Sequence, residues 1–302
     1  MNASPDALRL GLDFGLTTTD AVAWRGPLGA PLDEPLAHVT LQRPGPADTT
    51  VLTRALDELG TPTDAIGLLA ITGGRSRTLP EAWRGIPLVK VAEPEAIGRG
   101  GLALAGLRRA LVVSCGTGTA MVLADRDLGT YRHVGGTAVG GGTLVALGHA
   151  LLGERDPLAL AELAAAGDAS GVDTTLGEVL GGGVGDLPPE ATAVNLGRLA
   201  DLTEPPAPAD LAAGLTAMVA QVVALLAINA ARAHDLGQIV ATGRLAQLGP
   251  VRATFDAVAE LYHRPRFVVP PEGGRATALG AVLAVEARGR GPNPAQPTGD
   301  AT

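Results

Sequence analysis

Apolar positions along the chain fall into two kinds of stretch: short runs of strand length and longer stretches with helical spacing. The short runs at 8–13, 20–24, 37–42, 66–72, 87–92, 110–115, 119–124, 129–134, 238–242 and 266–270 predict strands. The longer stretches at about 49–59, 95–108, 143–152, 157–166, 209–235, 250–263 and 276–287 predict helices. Strands interleaved with helices in this way indicate an α/β protein with mixed sheets. Hairpin strands precede the helices in the first half, and the same order begins again near residue 110. Two related lobes meeting at a cleft are therefore expected, at 1–109 and 110–287. The Pro/Gly-rich tail 288–302 has almost nothing apolar to bury and is read as disordered, and 184–208 as a long proline-bearing connection.

The loops between these runs carry the candidate chemistry. Residues 135–143 read Gly-Gly-Thr-Ala-Val-Gly-Gly-Gly-Thr and lead directly into the helix predicted at 143–152. Glycine lets a backbone approach an anion, threonine supplies hydroxyl donors, and a helix start presents N–H groups and the positive end of its dipole. That is the composition of a phosphate cradle, with Gly140, Gly141, Gly142 and Thr143 at the helix entry. Two further turns share one plan. The run 8–13 ends in Asp13, then Phe14-Gly15-Leu16-Thr17-Thr18-Thr19-Asp20 leads to a second run; the run 110–115 is followed by Gly116-Thr117-Gly118-Thr119 and another. A polyphosphate held between two such hairpins receives backbone and hydroxyl donors from both sides. Asp13, at a strand exit, suits a magnesium ion bound directly or through water, since hard cations take oxygen ligands.

Composition narrows the setting. Lys90 is the only lysine, so positive charge for an anion comes from arginine, backbone N–H groups, helix ends or a metal. A net charge of -8 with two Trp, two Tyr and three Phe argues against nucleic-acid binding. Cys115 is the single cysteine, which excludes an internal disulfide and fits a cytoplasmic enzyme, as does the lack of a signal-peptide pattern at the start. The apolar stretch 211–233 is interrupted by Gly214, Thr216, Gln221 and Asn229 and reads as a buried helix rather than a membrane span. His149, His234 and His263 lack metal-ligand spacing, and Cys115 reads as a small packed residue. Arg75 and Arg77 follow Thr72-Gly73-Gly74 and are either anion-binding cations on the acceptor side or solvated loop residues.

The order of Asp13-Phe14-Gly15-Leu16-Thr17, Thr72-Gly73-Gly74, Glu93 before a glycine-bearing helix, Gly116-Thr117-Gly118-Thr119, the 135–143 loop and Gly243 after a strand resembles the type II pantothenate kinases. These belong to the acetate and sugar kinase, Hsp70 and actin superfamily. The resemblance runs from about 8 to 286, is strongest at 135–143, and extends to the stretch 164–173. It implies two ribonuclease-H-like lobes, with mixed sheets flanked by helices and a nucleotide cleft between them. It further implies ATP and Mg2+ as cofactors, a homodimer, and phosphorylation of the hydroxyl of pantothenate, the first step of coenzyme A biosynthesis. Position by position, Asp13 would assist magnesium, Gly15, Thr17, Thr18 and Thr19 with Gly116, Thr117, Gly118 and Thr119 would hold the ATP phosphates, and Gly243 with Arg244 would lie by the adenosine. The acceptor would be met by Thr72, Gly73 and Gly74 and by Arg132, His133, Gly135, Gly136, Thr137 and Ala138. Glu93 would be the general base, which phosphoryl transfer to an alcohol requires within hydrogen-bond reach of the hydroxyl. Its place after an apolar run and before Pro94 predicts an extended strand edge.

Three positions depart from that family. Leu16 stands at its second glycine, Asp20 at a lysine, and His133 at an arginine that holds the acyl substrate; Arg132 is adjacent but on the opposite face by strand alternation. The first loop is also similar to the Gly-x-Thr-x-Thr-Asp loop of hydantoinase and oxoprolinase enzymes. Three readings stand at this point: a kinase of a small alcohol with pantothenate as default, a hydantoinase-type ATP-using enzyme, and a nucleotide-binding regulator that has lost transfer.

Overall fold

The computed structural model describes residues 7–25, 35–42, 45 and 47–289. From residue 290 onward, the tail expected to be disordered lies outside the described residues. The elements in chain order are β1 (Leu8–Phe14), β2 (Thr18–Arg25), β3 (Ala37–Gln42), α1 (Thr49–Glu58), β4 (Ile66–Thr72), β5 (Ala82–Trp83), β6 (Ile86–Lys90) and α2 (Glu93–Ala105). They continue as β7 (Arg109–Cys115), β8 (Thr119–Asp125), β9 (Thr130–Thr137), α3 (Gly141–Leu152), α4 (Pro157–Ala165), β10 (Thr174–Thr175), α5 (Leu176–Leu180) and β11 (Thr192–Val194). The last are α6 (Pro208–Ala233), β12 (Gln238–Thr242), α7 (Arg244–Gln247), α8 (Gly249–Leu261), β13 (Arg266–Val268) and α9 (Ala276–Gly289). Every strand and helix expected from the apolar pattern is present within a few residues; the short β5, β10, β11, α5 and α7 are additions. The protein is a mixed α/β fold with sheets flanked by helices.

Contacts group the chain into two compact units, Met1–Val112 with Val122–Val134 and Pro270–Thr302, and Val113–Met121 with Gly135–Val269. A single division near residue 110 is the expectation from element order; the contacts instead return the C-terminal helix to the first unit. The physical reason is hydrophobic. In the sheet β3-β2-β1-β4-β6-β5, strand alternation puts Leu10, Leu12 and Phe14 on the face covered by Leu52, Ala55 and Leu56 of α1. Val22, Trp24 and Ala70 lie on the other face, packed by Ala278, Leu279 and Val282 of α9. Ala96 of α2 joins the same cluster, so α9 and α2 together cover that face. Helix α9 fits closely because its neighbours are glycines: a Cβ on Gly100 of α2 would stand 1.7 Å from the Ala276 carbonyl oxygen, and one on Gly280 1.8 Å from that of Ala96. The buried pair Arg9 and Glu286, 2.6 Å apart, joins the far end of α9 to β1.

In the second unit, α6 is the central element. It is long and apolar enough to cross a membrane by composition, with a mean hydropathy of 2.2, yet 61% of that window is buried within the protein. Its buried positions, including Leu215, Val219, Val223 and Ile228, pack with α3, α4 and α8. The connection 184–208 is not featureless: β10 and β11 pair antiparallel, and the buried Asp173 carboxylate accepts the Leu196 N–H at 2.7 Å and the Thr192 hydroxyl at 3.2 Å. The second sheet runs β13-β12-β7-β8-β9.

Candidate functional site

In the first unit, four separate segments converge at the carboxyl end of β1. Asp13 pairs in register with Asp20 on β2 and with Thr72 on β4. Gly73 follows with φ +90, and a Cβ there would stand 2.6 Å from Asp13 Oδ1 and 2.6 Å from the Phe14 carbonyl oxygen. Only glycine allows both that conformation and that approach. Gly74 stands beside Glu93, whose Oε2 lies 3.7 Å from the position of a Gly74 Cβ. Glu93 differs from the extended geometry expected of it: it is the first residue of α2, because Pro94 at the next position favours a helix start. Its side chain is exposed beside the Gly73-Gly74 backbone, with the positive end of the helix dipole behind it.

The threonines of this unit divide by accessibility. Thr17 is exposed and Thr18 half-buried at the turn, whereas Thr19 is 1% exposed within β2. Thr72 is fully buried and its hydroxyl donates to the Val91 carbonyl at 3.0 Å, tying β4 to the entry of α2. Gly15 sits under the turn, where a Cβ would meet the Thr18 carbonyl at 2.9 Å. Asp20 is buried, accepts the Thr40 hydroxyl at 2.6 Å and lies 3.6 Å from His38 Nε2. The acid standing at the family's lysine is thus held by β3. The Leu16 side chain is 68% exposed, and its carbonyl accepts an N–H from Arg75 Nη1 at 3.2 Å.

In the second unit the 116–119 turn and the 135–143 loop lock together. The Gly141 N–H donates to Gly116 O at 2.8 Å and the Gly142 N–H to Thr117 O at 2.9 Å. The first two N–H groups of α3, expected to be unpaired and aimed at a ligand, are therefore taken by the neighbouring turn. Close backbone approach accounts for the glycines here: a Cβ on Gly136 would lie 2.3 Å from Thr119 O, and one on Gly140 2.7 Å from Thr117 O. Thr119 donates its hydroxyl to Val139 O at 2.9 Å, the Val139 N–H donates to Thr137 Oγ1 at 3.1 Å, and Thr143 Oγ1 accepts the Gly140 N–H at 3.3 Å. What this knot leaves facing outward includes Gly116, Gly136 and Ala138, exposed, with Thr117, Gly118 and Gly135 half-buried. Gly243, at φ +87, stacks on Cys115, where a Cβ would lie 2.4 Å from its carbonyl oxygen, so Arg244 and α7 begin at the base of the turn. Burial pushes the Cys115 thiol up to about 12, leaving it a neutral packed group.

Strand β9 links the candidate acceptor residues. Tyr131 lies under the Arg99 guanidinium, 4.6 Å from the ring centroid, and a Cβ on Gly98 of α2 would stand 2.4 Å from Tyr131 Cδ1. Alternation puts His133 on the face of Tyr131 and Arg132 on the other, and both side chains are exposed. Among the described residues no group of three or more His, Cys, Asp or Glu is gathered for a metal. Two features had no sequence signal: the Thr40 and His38 clasp on Asp20, which depends on strand register, and the bond from Arg75 to Leu16.

The model of the Fumble family matches residues 109–259, half of the chain. A type II pantothenate kinase of Bacillus cereus (strain G9842) is 26% identical over 233 residues, covering 73% of this chain and 82% of that protein. Among solved structures, the activator of the 2-hydroxyisocaproyl-CoA dehydratase from Clostridium difficile with bound ADPNP superposes with a TM-score of 0.62 at 17% identity, covering 96% of this chain and 100% of that one. A ROK family glucokinase from Streptomyces griseus in complex with glucose and AMPPNP gives a TM-score of 0.56 at 15% identity, covering 92% and 99%. These superpositions show a shared fold. With its glycine loops and strand order on that fold, the chain belongs to the Fumble family, whose matching curated relatives are named type II pantothenate kinases.

Proposed function

We propose that this protein is an ATP-dependent kinase of a small hydroxyl compound, with pantothenate as the acceptor named by its relatives. The observation that carries the reading is the convergence of Asp13, Gly73-Gly74 and the exposed Glu93 at one strand end of the first unit. Glu93 orients the acceptor hydroxyl and takes its proton as the oxygen attacks phosphorus. Thr17 and the 15–18 backbone bind phosphate oxygens, and in the second unit the outward Gly116, Thr117 and Gly118 backbone does the same, with Gly243 and Arg244 toward the nucleoside. Magnesium suits the Asp13 carboxylate at the end of β1, since this ion usually takes one or two carboxylates plus substrate phosphates. When bound, it would neutralise charge on the phosphate oxygens.

Glu93→Gln tests the reading. In an assay of ADP release, pantothenate is expected to stimulate the wild type, and the variant should lose about two to four orders of magnitude in turnover with Mg-ATP affinity unchanged. Undiminished turnover would remove Glu93 from the mechanism. His133, in place of the family's arginine, makes the acceptor the point to scan, and hydantoin and 5-oxoproline belong in the panel beside hydroxylated metabolites. Stimulation by those two and not by any alcohol would replace the kinase reading.

A further inference from the structure

Phosphoryl transfer needs positive charge at the transferred group, and the first unit lacks it where the family keeps it. Asp20 occupies the lysine position and is buried under Thr40 and His38. The geometry points to Arg75 as the residue that supplies this charge, an assignment that rests on the kinase reading above. Arg75 follows the Gly73-Gly74 pair whose backbone lies against Asp13 and Glu93. One of its Nη1 hydrogens is held by the Leu16 carbonyl at the tip of the β1–β2 turn. That bond reaches across 59 residues of sequence and brings the guanidinium to the turn assigned to phosphate. The arginine backbone is equally fixed: Ser76 hydrogen-bonds Gly73 O through both its N–H at 3.0 Å and its hydroxyl at 2.8 Å, and Thr78 Oγ1 donates to Arg75 O at 3.2 Å.

Among the described residues Arg75 has no carboxylate partner, in contrast to Arg9, Arg54, Arg99, Arg108 and Arg198, each paired with an acid. A guanidinium carries five donors in a rigid fork; with one on Leu16, the others remain for an anion, and the fork matches phosphate oxygens in pairs. Arg77, two residues on, is exposed in the next turn and makes no such tie. In the step proposed, the acceptor oxygen forms its bond to the γ-phosphorus as the bond from that phosphorus to the ADP oxygen breaks. The hydroxyl proton passes to Glu93, ADP leaves with the electron pair, and Arg75 donates to the γ-phosphoryl oxygens throughout. The substitutions are coupled in this account: with the cation supplied from the 73–75 loop, the strand position can hold an acid.

Two measurements on the full chain test the assignment. First, calorimetry with Mg-ADP and with a non-hydrolysable imido analogue of Mg-ATP: Arg75→Ala is expected to weaken the analogue at least about tenfold and leave ADP within about twofold, since only the γ-phosphoryl group meets Arg75. Equal loss for both nucleotides, or loss for neither, overturns the proposal. This arm stands even if no acceptor is ever phosphorylated, a result that would sink the kinase reading instead. Second, where the wild type turns over, Arg75→Ala should lower kcat by roughly 10²–10³-fold, with partial recovery in added guanidinium chloride at low concentration and in Arg75→Lys. The same kcat loss is expected with pantothenate and with its alcohol analogue, which lacks the carboxylate. A rise in KM confined to pantothenate would assign Arg75 to the acceptor's carboxylate and overturn its assignment to phosphate. Should Arg75→Ala fail to fold, Arg75→Gln serves in its place.

Discussion

At the scale of single residues, burial decides which of the polar groups named by the motifs are available for chemistry. Thr19 and Thr72 are hidden, while Thr17 and Glu93 are presented. Asp20 shows how a charge that looks misplaced in one dimension is accommodated in three: on the next strand Thr40 pairs with it in register and His38 lies two residues away on the same face. Asp20→Ala leaves the half-buried Thr40 hydroxyl without this acceptor and is expected to cost about 0.5–1.5 kcal/mol, measured by urea denaturation. Cys115 is the clearest titratable group. Its thiol, raised by burial from 9.0 to about 12, stays neutral in the native state while the unfolded thiol ionises. Its contribution to stability is therefore complete below pH 9 and lost as pH rises toward 12, by up to about 1.4 kcal/mol per pH unit. Native protein should accordingly resist a thiol reagent at pH 8 that labels the denatured chain at once; fast native labelling would contradict the burial. Glu93 and Cys115 were both legible as types of residue at turns. Their environments were not, since exposure is a property of the neighbours.

Among elements, the glycines do more packing than ligand approach. The 135–143 loop reads in sequence as a cradle for an anion, yet Gly136, Gly140 and Gly142 are required by the backbone of the 116–119 turn that lies against them. The composition signalled close backbone approach correctly; which backbone approaches is settled only by the pairing of β7, β8 and β9. The crossing of α2 and α9 makes the same point without any ligand. Gly100→Ala and Gly280→Ala each force a methyl to within 2 Å of a carbonyl oxygen of the other helix, so the helices must separate. Each is expected to cost about 1–3 kcal/mol or more, read as a lower denaturation midpoint, whereas Gly106→Ala, with open space but φ +65 at the end of α2, should cost less than about 2. If Gly100→Ala were neutral, the close crossing would be refuted.

Over the whole molecule, chain order and spatial order part company at α9. Removing residues from 270 onward would strip α9 from Val22, Trp24 and Ala70, and the first unit should then fail to fold, seen as loss of the buried-tryptophan emission of Trp24 and Trp83. A truncated chain that kept that emission would show that α9 is dispensable. The sequence by itself determined the alternation of strands and helices, because side-chain periodicity is local and the apolar runs here are long and cleanly bounded. It also determined the family, through loops whose spacing survives at low identity. The tertiary structure alone decided which unit receives α9, which threonines are open, what holds Asp20, and that Arg75 reaches Leu16. Each of these is a contact between residues far apart in the chain, set by strand register and by the burial of apolar faces, and neither quantity is written at any one position.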